Sequence, residues 1–229
     1  MPDVKFDGGF EIKRQSDMEE IVREAGILPL FTNSIRGFSV EEHVDPSVWF
    51  TDEPGPWEWK GPVIANVGCA YGKLFERKAA FVRRDIFAHL ANYRRDGYDF
   101  DARFDDGLAS FREKDLFETA DRMAPVLSRD LKAEGGWGKG GKKGFDALLT
   151  GLQMKCYILT ENFVYDRDRH GKPYGWGIGV YSTPERIFGD GFRGEMYSVP
   201  PEKSKSVLLD ALRRIVPYAG EKTILKFLG

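Results

Sequence analysis

The stretch from Glu113 to Tyr181 constrains the fold of this chain most strongly, because helical patterns give way to extended ones in a definite order. The runs are, in chain order, Lys114–Met123, Leu127–Lys132 with Ser128 as its N-cap, Phe145–Met154, Cys156–Tyr165 and Tyr174–Ser182. Gly171 permits a tight turn between the last two runs, so we expect them to pair as a hairpin. Three short helices followed by a hairpin are typical of a winged helix, whose third helix usually reads a DNA groove.

We therefore predict an α+β fold with a helix-rich winged-helix architecture, a β-hairpin wing and a helical C-terminal tail. The chain has 229 residues, of which 41% are hydrophobic and 31% charged, as in ordinary soluble globular proteins. The expected organisation has three parts. Residues 1–112 form a helical and aromatic domain that could be a degenerate winged helix, residues 113–189 form the winged helix, and residues 190–229 form a tail packed on the body.

The charge balance argues against a protein that coats nucleic acid, because the formal net charge is −2. It still allows a local basic face. Cys69 and Cys156 have no metal-ligand spacing and the three histidines are dispersed, which disfavours a zinc site and fits a reducing compartment. We find no apolar run near eighteen residues and no N-terminal signal pattern, so we expect a cytoplasmic protein that is not in a membrane. No cofactor is implied.

The N-terminal part has helix signals and an aromatic cluster. Ser16 with Glu19 predicts a capping box, and Gly26 is placed to end that helix. The tryptophans at 49, 57 and 59 could stack on bases, since every base has a face that stacks on an aromatic ring. The alternative is that they cover a small core. We favour the core, because Lys60 is the only basic residue among them.

The most acidic stretch, Asp96–Asp106, could bind a cation or supply an acid and a base, with Asp99 and Asp101 as candidate catalytic residues. It fails the EF-hand template, because Arg103 and Phe104 stand where an oxygen ligand and a glycine are required. A half-buried turn, with its carboxylates paired to Arg94, Arg95 and Arg103, is the structural alternative that we favour.

The loop from Gly136 to Lys143 is nearly a phosphate-binding P-loop, but Lys143 replaces the hydroxyl residue that would hold Mg²⁺. It could hold one backbone phosphate at the start of the next helix or be a solvated linker, and the residues leave both open. The following helix is expected to bury Phe145, Leu148, Leu149 and Leu152, while its other face is poor in base-reading side chains.

The hairpin tip carries charges of both signs and could enter a minor groove or merely protect the hairpin edge. Together with the loop, it supplies residues that would bind phosphates without specifying sequence. The candidate nucleic-acid-binding residues are Lys139, Lys142, Lys143, Lys155, Arg167, Arg169 and Lys172.

Two stretches of the chain resemble the AlkZ/YcaQ family of DNA glycosylases, specifically its AlkZ-related branch. The matching segments are Leu74–Glu76, Lys78–Val82 and the helix ending at Arg94–Arg95, then Pro125–Leu131, Gly135–Gly138, Phe145–Gln153 with its hairpin, and Tyr181 to Glu185–Arg186. They span about half the chain. The resemblance implies tandem winged helices and a connection to DNA repair.

The resemblance also implies where catalysis would reside, and this chain departs from it there. The family signature is a Gln, a hydrophobic residue, then Gln or Asp, just after the first helix and a glycine. The matching segment is Gly26–Phe31, in which Pro29 and Phe31 stand at the polar positions. Neither side chain can orient a water molecule.

Three hypotheses follow for the function. The first is a protein related to DNA glycosylases that binds nucleic acid weakly through phosphate contacts, without the standard catalytic motif. The second is an active glycosylase for damaged bases that uses the Asp96–Asp106 cluster. The third is a protein–protein interaction module whose winged helix never meets nucleic acid. The salt dependence of DNA binding separates the first from the third.

Overall fold

A computed structural model describes Phe6 and residues 11–49, 51, 53–171 and 173–229, except the side chains of Pro173 and Tyr174. The described residues form eleven α-helices and a short 3₁₀ helix at Pro46–Val48. The α-helices are α1 (Gln15–Ala25), α2 (Pro56–Val67), α3 (Arg84–Arg95), α4 (Phe100–Asp105), α5 (Phe111–Met123), α6 (Ser128–Glu134), α7 (Phe145–Met154), α8 (Pro184–Phe188), α9 (Phe192–Met196), α10 (Pro201–Ile215) and α11 (Glu221–Leu228). None of these helices combines the length and apolar character needed to cross a lipid bilayer.

Six strands within the same described residues form two three-stranded antiparallel sheets. The strands are β1 (Ile27–Pro29), β2 (Ala70–Phe75), β3 (Lys78–Val82), β4 (Val126–Leu127), β5 (Leu159–Arg167) and β6 (Pro173–Ser182). The predicted α+β fold is confirmed. Helices α5, α6 and α7 precede the β5–β6 hairpin, and β4 adds to it in the order β4-β6-β5, which is the winged-helix arrangement expected from the sequence.

The first sheet has the same strand order, β1-β3-β2, with β1 after α1 and the β2–β3 hairpin after α2. Pro29 is tolerated in β1 because β1 lies at the edge of the sheet, where a missing N–H costs no internal ladder bond. Strands β2 and β3 are joined by Glu76 and Arg77, whose φ angles are +48° and +61°. Two consecutive left-handed residues make the tight turn of a two-residue hairpin, here without the glycine that usually relieves the strain.

The buried apolar side chains fall into two clusters. The larger unites the N-terminal part with the C-terminal tail, since residues such as Leu28, Phe81 and Phe87 pack in one cluster with Leu212 and Phe227. The smaller lies inside the second winged helix and includes Leu149 and Leu152. Phe145 is buried and Leu148 partly buried in this same cluster, as predicted for α7.

Two local predictions from the sequence are wrong. Ser16 does not cap α1, which begins at Gln15; the carboxylate of Asp17 instead accepts from the backbone N–H of Arg14 at 3.1 Å. Ser128 is the first residue of α6 and makes no capping bond. The helical run predicted at Lys114–Met123 is confirmed as part of α5, which begins at Phe111 because Ser110 and Glu113 form a capping box.

The prediction for the acidic stretch is also wrong in its detail. Residues 100–105 form helix α4 and not a turn, because Asp99 Oδ1 accepts from the N–H of Ala102 at 2.9 Å and caps the helix. Two of the three arginines expected to pair with these carboxylates have other partners. Arg95 pairs with Glu185, and Arg94 donates to the backbone carbonyls of Met154 and Leu228.

Candidate nucleic-acid interface

The two winged helices pack against each other crosswise. Helix α7, the third helix of the second unit, lies against β2 of the first sheet, and α2, the equivalent helix of the first unit, lies against β5. Thr150 and Gln153, which lie on the α7 face outside the predicted core positions, are therefore 4% and 2% exposed. This part of α7 contacts protein and is covered from any DNA groove.

A hydrogen bond across this interface joins α7 to β2. The side-chain oxygen of Gln153 accepts from the backbone N–H of Lys73 at 2.8 Å. Gly72 makes this approach possible, because a Cβ at position 72 would lie 2.8 Å from that oxygen. The amide of Gln153 thus satisfies a strand N–H that would otherwise lack a partner in a buried joint.

A cavity of about 600 Å³ lies between the two units, within the size range of ligand sites, roughly 300–1,000 Å³. Its walls are largely aromatic. The rings are those of Phe31, Trp57, Tyr71, Phe163, Trp176 and Tyr181. Trp57 and Trp176 meet edge to face with centroids 5.1 Å apart. Aromatic walls of this kind suit a flat, unsaturated ring that stacks between them.

The rim of the cavity is cationic. Lys73, Arg77 and Lys78, from the β2–β3 hairpin, border the cavity and are exposed to solvent. None of the three forms an ion pair with a described residue, and no Asp or Glu is among the described residues that line the cavity. An anionic group at this rim would therefore meet uncompensated positive charge.

Lys60 is a fourth cation at the cavity, and it is 1% exposed. Its Nζ lies 3.1 Å from the centroid of the Trp57 ring and 4.4 Å from that of Phe163. Burial lowers the pKa of Lys60 to about 7, although the nearby carboxylate of Glu58 opposes the change. Trp57 and Lys60 are three residues apart on α2 and so share a face.

The seven basic residues predicted to contact nucleic acid differ in their availability. Lys142 pairs with Asp115 at 2.5 Å, and Lys155 pairs with Glu113. Four others are exposed and form no ion pair with described residues: Lys139, Lys143, Arg167 and Arg169. Lys172 lies outside the described residues.

The candidate catalytic carboxylates lie elsewhere. Asp99 and Asp101 border a separate cavity of about 220 Å³, which shares no lining residue with the larger one. Besides capping α4, Asp99 forms an ion pair with Arg193, so both of its oxygens have partners. Among the described residues, no group of three or more His, Cys, Asp or Glu side chains is arranged to hold a metal ion.

The segment that resembles the family's catalytic signature reaches the aromatic cavity. Phe31 lines it and stacks on Trp49, with ring centroids 6.1 Å apart. Pro29 is buried in β1 and pairs with Ala80. The apolar ring of Phe31 therefore lines the cavity at a position where the family resemblance implies a polar side chain.

The tryptophans were interpreted from the sequence either as part of a core or as rings that stack on bases, and their positions differ in this respect. Trp49 and Trp59 are buried in the large apolar cluster at 7% and 8% exposure, as the core interpretation predicts. Trp57 instead faces the cavity beside Lys60.

Sequence reasoning missed most of the cavity. One segment of the sequence has a hydrophobic period that fits a helix and a strand equally well, and it contains Lys73, Arg77 and Lys78. Their common position at the cavity was therefore not predicted. The spacing of Trp57 and Lys60 was the one available signal, since three residues on a helix bring a cation over a ring. The contribution of Trp176 could not be anticipated, because it depends on how the two units pack.

A family model described as AlkZ related matches residues 12–229, nearly the whole chain. No curated protein and no solved structure gives a significant match. The match covers both winged helices, the cavity between them and the C-terminal tail. The chain therefore belongs to the AlkZ-related family and is, through it, related to DNA glycosylases.

Proposed function

We propose that this protein binds DNA, with phosphates held at the rim of the central cavity and an unstacked base received between its aromatic walls. One observation carries the proposal. A cavity of about 600 Å³ combines aromatic walls with the cations Lys60, Lys73, Arg77 and Lys78 and has no described carboxylate in its lining. Phosphate contacts supply affinity without sequence preference, and stacking accepts any base.

The proposed DNA-binding surface is not the face of a helix inserted into a DNA groove. Part of α7 is covered by β2, so we assign recognition to the β2–β3 hairpin and the β5–β6 wing on either side of the cavity. Lys139, Lys143, Arg167 and Arg169 remain available for further phosphate contacts along the same winged helix. The chain's overall charge of −2 limits such binding to a local face.

The test measures binding of a fluorescent duplex by anisotropy over a series of salt concentrations. Each phosphate contact contributes about 0.9 to the slope of log affinity against log salt. Combined replacement of Lys73, Arg77 and Lys78 by alanine should lower that slope by about 2 to 3. Lys142→Ala is the matched control, because its charge is already engaged by Asp115. Absence of binding at low salt, or an unchanged slope in the triple variant, would refute the proposal.

A second measurement tests the base-receiving walls. The duplex is prepared fully paired and with one unpaired nucleotide, and wild type should prefer the latter. Trp176→Ala should reduce that preference about tenfold, since stacking contributes roughly 1–3 kcal/mol per base. Phe111→Ala removes an aromatic ring that is 81% exposed and does not line the cavity, and should leave the preference unchanged.

A further inference from the structure

Lys60 occupies an unusual environment for a buried lysine. Its ammonium lies between the rings of Trp57 and Phe163, and it forms no ion pair or hydrogen bond with a described residue. The residue is 1% exposed and borders the central cavity. A buried charge without a partner is unfavourable, and a lysine kept only for packing would be replaced at no loss by an apolar side chain.

Burial favours the neutral amine of Lys60, against the attraction of its ammonium to the faces of Trp57 and Phe163. Glu58, on the same helix, is the carboxylate that opposes the loss of its proton, while Lys73 and Lys78 add positive charge across the cavity. Tyr71 and Tyr181 also face the cavity, and burial raises the pKa of both phenols, so they remain neutral. A pKa lowered to about 7 gives Lys60 a substantial neutral fraction at neutral pH.

A neutral amine in a cavity is a nucleophile, and lysines made neutral by desolvation characteristically form imines with carbonyl compounds. An exposed lysine with a pKa of about 10.4 has roughly a thousandfold less neutral amine at pH 7. Lys60 should therefore react far ahead of the other lysines with any aldehyde that enters the cavity.

We propose that Lys60 captures an aldehyde-bearing ligand as an imine, and that this ligand is the ring-opened deoxyribose of an abasic site in DNA. The identity of the ligand rests on the proposed DNA-binding function. An abasic sugar lacks the base that would hold it in the stack, so its extrusion from the duplex costs least. The exposed cations Lys73, Arg77 and Lys78 would bind the phosphates that flank it.

The proposed step balances without a further reactant. The neutral amine of Lys60 attacks C1′ of the sugar aldehyde, a C–N bond forms as the C=O π bond breaks, and both protons of the amine pass in turn to the former carbonyl oxygen. Loss of that oxygen as water leaves the imine. No oxidation or reduction occurs, and water reverses the reaction.

The test uses the full chain and a labelled duplex with one abasic site, treated with sodium borohydride to reduce the imine to a stable amine. A covalent protein–DNA product should form, and peptide mapping should place the link on Lys60. Lys60→Met, similar in length but without the amine, should reduce the product at least tenfold. Lys203→Met, which changes an exposed lysine that does not line the cavity, should retain more than half of it. Circular dichroism and thermal unfolding verify that both variants fold.

Two results separate this inference from the proposed function. If wild type binds the abasic duplex but forms no product, or links it through another lysine, the inference is wrong and the DNA-binding proposal stands. If wild type does not bind DNA, the proposed function and the assignment of the ligand both fail. A second arm with salicylaldehyde and borohydride then examines the amine by itself. Selective labelling of Lys60, with a rate that rises around pH 7, supports the assignment of Lys60 as the reactive amine. Labelling spread over surface lysines overturns that assignment.

Discussion

Arg95 Nη1 lies 2.5 Å from Glu185 Oε1, and this ion pair joins α3 of the first winged helix to α8 beyond the second. The arginine side chain is 2% exposed, and it also donates to the carbonyl of Cys156 at 2.7 Å and lies over the ring of Tyr157. The two stretches in which the sequence resembles its family thus meet at this pair.

Glu185→Gln should destabilise the protein, because it leaves the buried charge of Arg95 without its counter-charge. Fully buried pairs broken in this way cost about 3–5 kcal/mol. Since 34% of the Glu185 side chain is exposed, water compensates part of the loss, and we expect roughly 1–3 kcal/mol in the free energy of unfolding by urea. Glu195→Gln breaks the exposed pair with Arg84 and should cost less than about 1 kcal/mol. Equal losses in the two variants would contradict the assigned role.

Lys60→Met should stabilise the protein at about pH 6 and lose this advantage as the pH rises. Below pH 7, Lys60 is charged in both the folded and unfolded states, so the burial penalty is complete. Between about 7 and 10.5 the unfolded state holds more protons, and the stability of wild type therefore rises with pH. The difference in unfolding free energy between variant and wild type should fall by roughly 2–4 kcal/mol from about pH 6 to about pH 10. If the difference in unfolding free energy does not vary with pH, the pKa of Lys60 is not lowered by folding and the prediction is wrong.

Asp99 is expected to stabilise helix α4, and its variants can separate this role from catalysis. Asp99→Ala removes the N-cap and should cost about 1 kcal/mol in urea unfolding, whereas Asp99→Asn keeps a good cap and should cost a few tenths. Asp101→Ala, at an exposed position of the same helix, serves as the control. Abasic sites generated in alkylated DNA are counted in parallel. A folded Asp99→Asn variant that abolishes base release shown by wild type would revive the catalytic hypothesis.

Gly72→Ala should loosen the joint between the two winged helices. The added Cβ would lie 2.8 Å from Gln153 Oε1 and displace the acceptor of the Lys73 N–H, so we expect a loss of roughly 1–3 kcal/mol. Gly151→Ala is the matched control in α7, because its Cβ would have no neighbour within 4 Å. That substitution should stabilise the helix by up to about 1 kcal/mol. Thermal and urea unfolding measure the stability of both variants relative to wild type. A Gly72→Ala variant as stable as wild type would contradict the prediction.

The second winged helix was predictable because its signals are local. Phe145, Leu149 and Leu152 recur at helical spacing, and the following hairpin has its turn residue at Gly171, so neighbouring residues alone determine these elements. The first winged helix was not recognisable in the same way. Its strand β1 has three residues, and the segment that forms β2 and β3 has no clear period.

The amino-acid sequence by itself determined the α+β class and the order of elements in the second winged helix, since each depends on residues close together in the chain. Only the tertiary structure decided where the candidate site lies. Its walls come from residues as distant as Phe31 and Tyr181, brought together by the crosswise packing of two units. The same packing buries Lys60, and desolvation of a charge is a property of the assembled surroundings that no local pattern records.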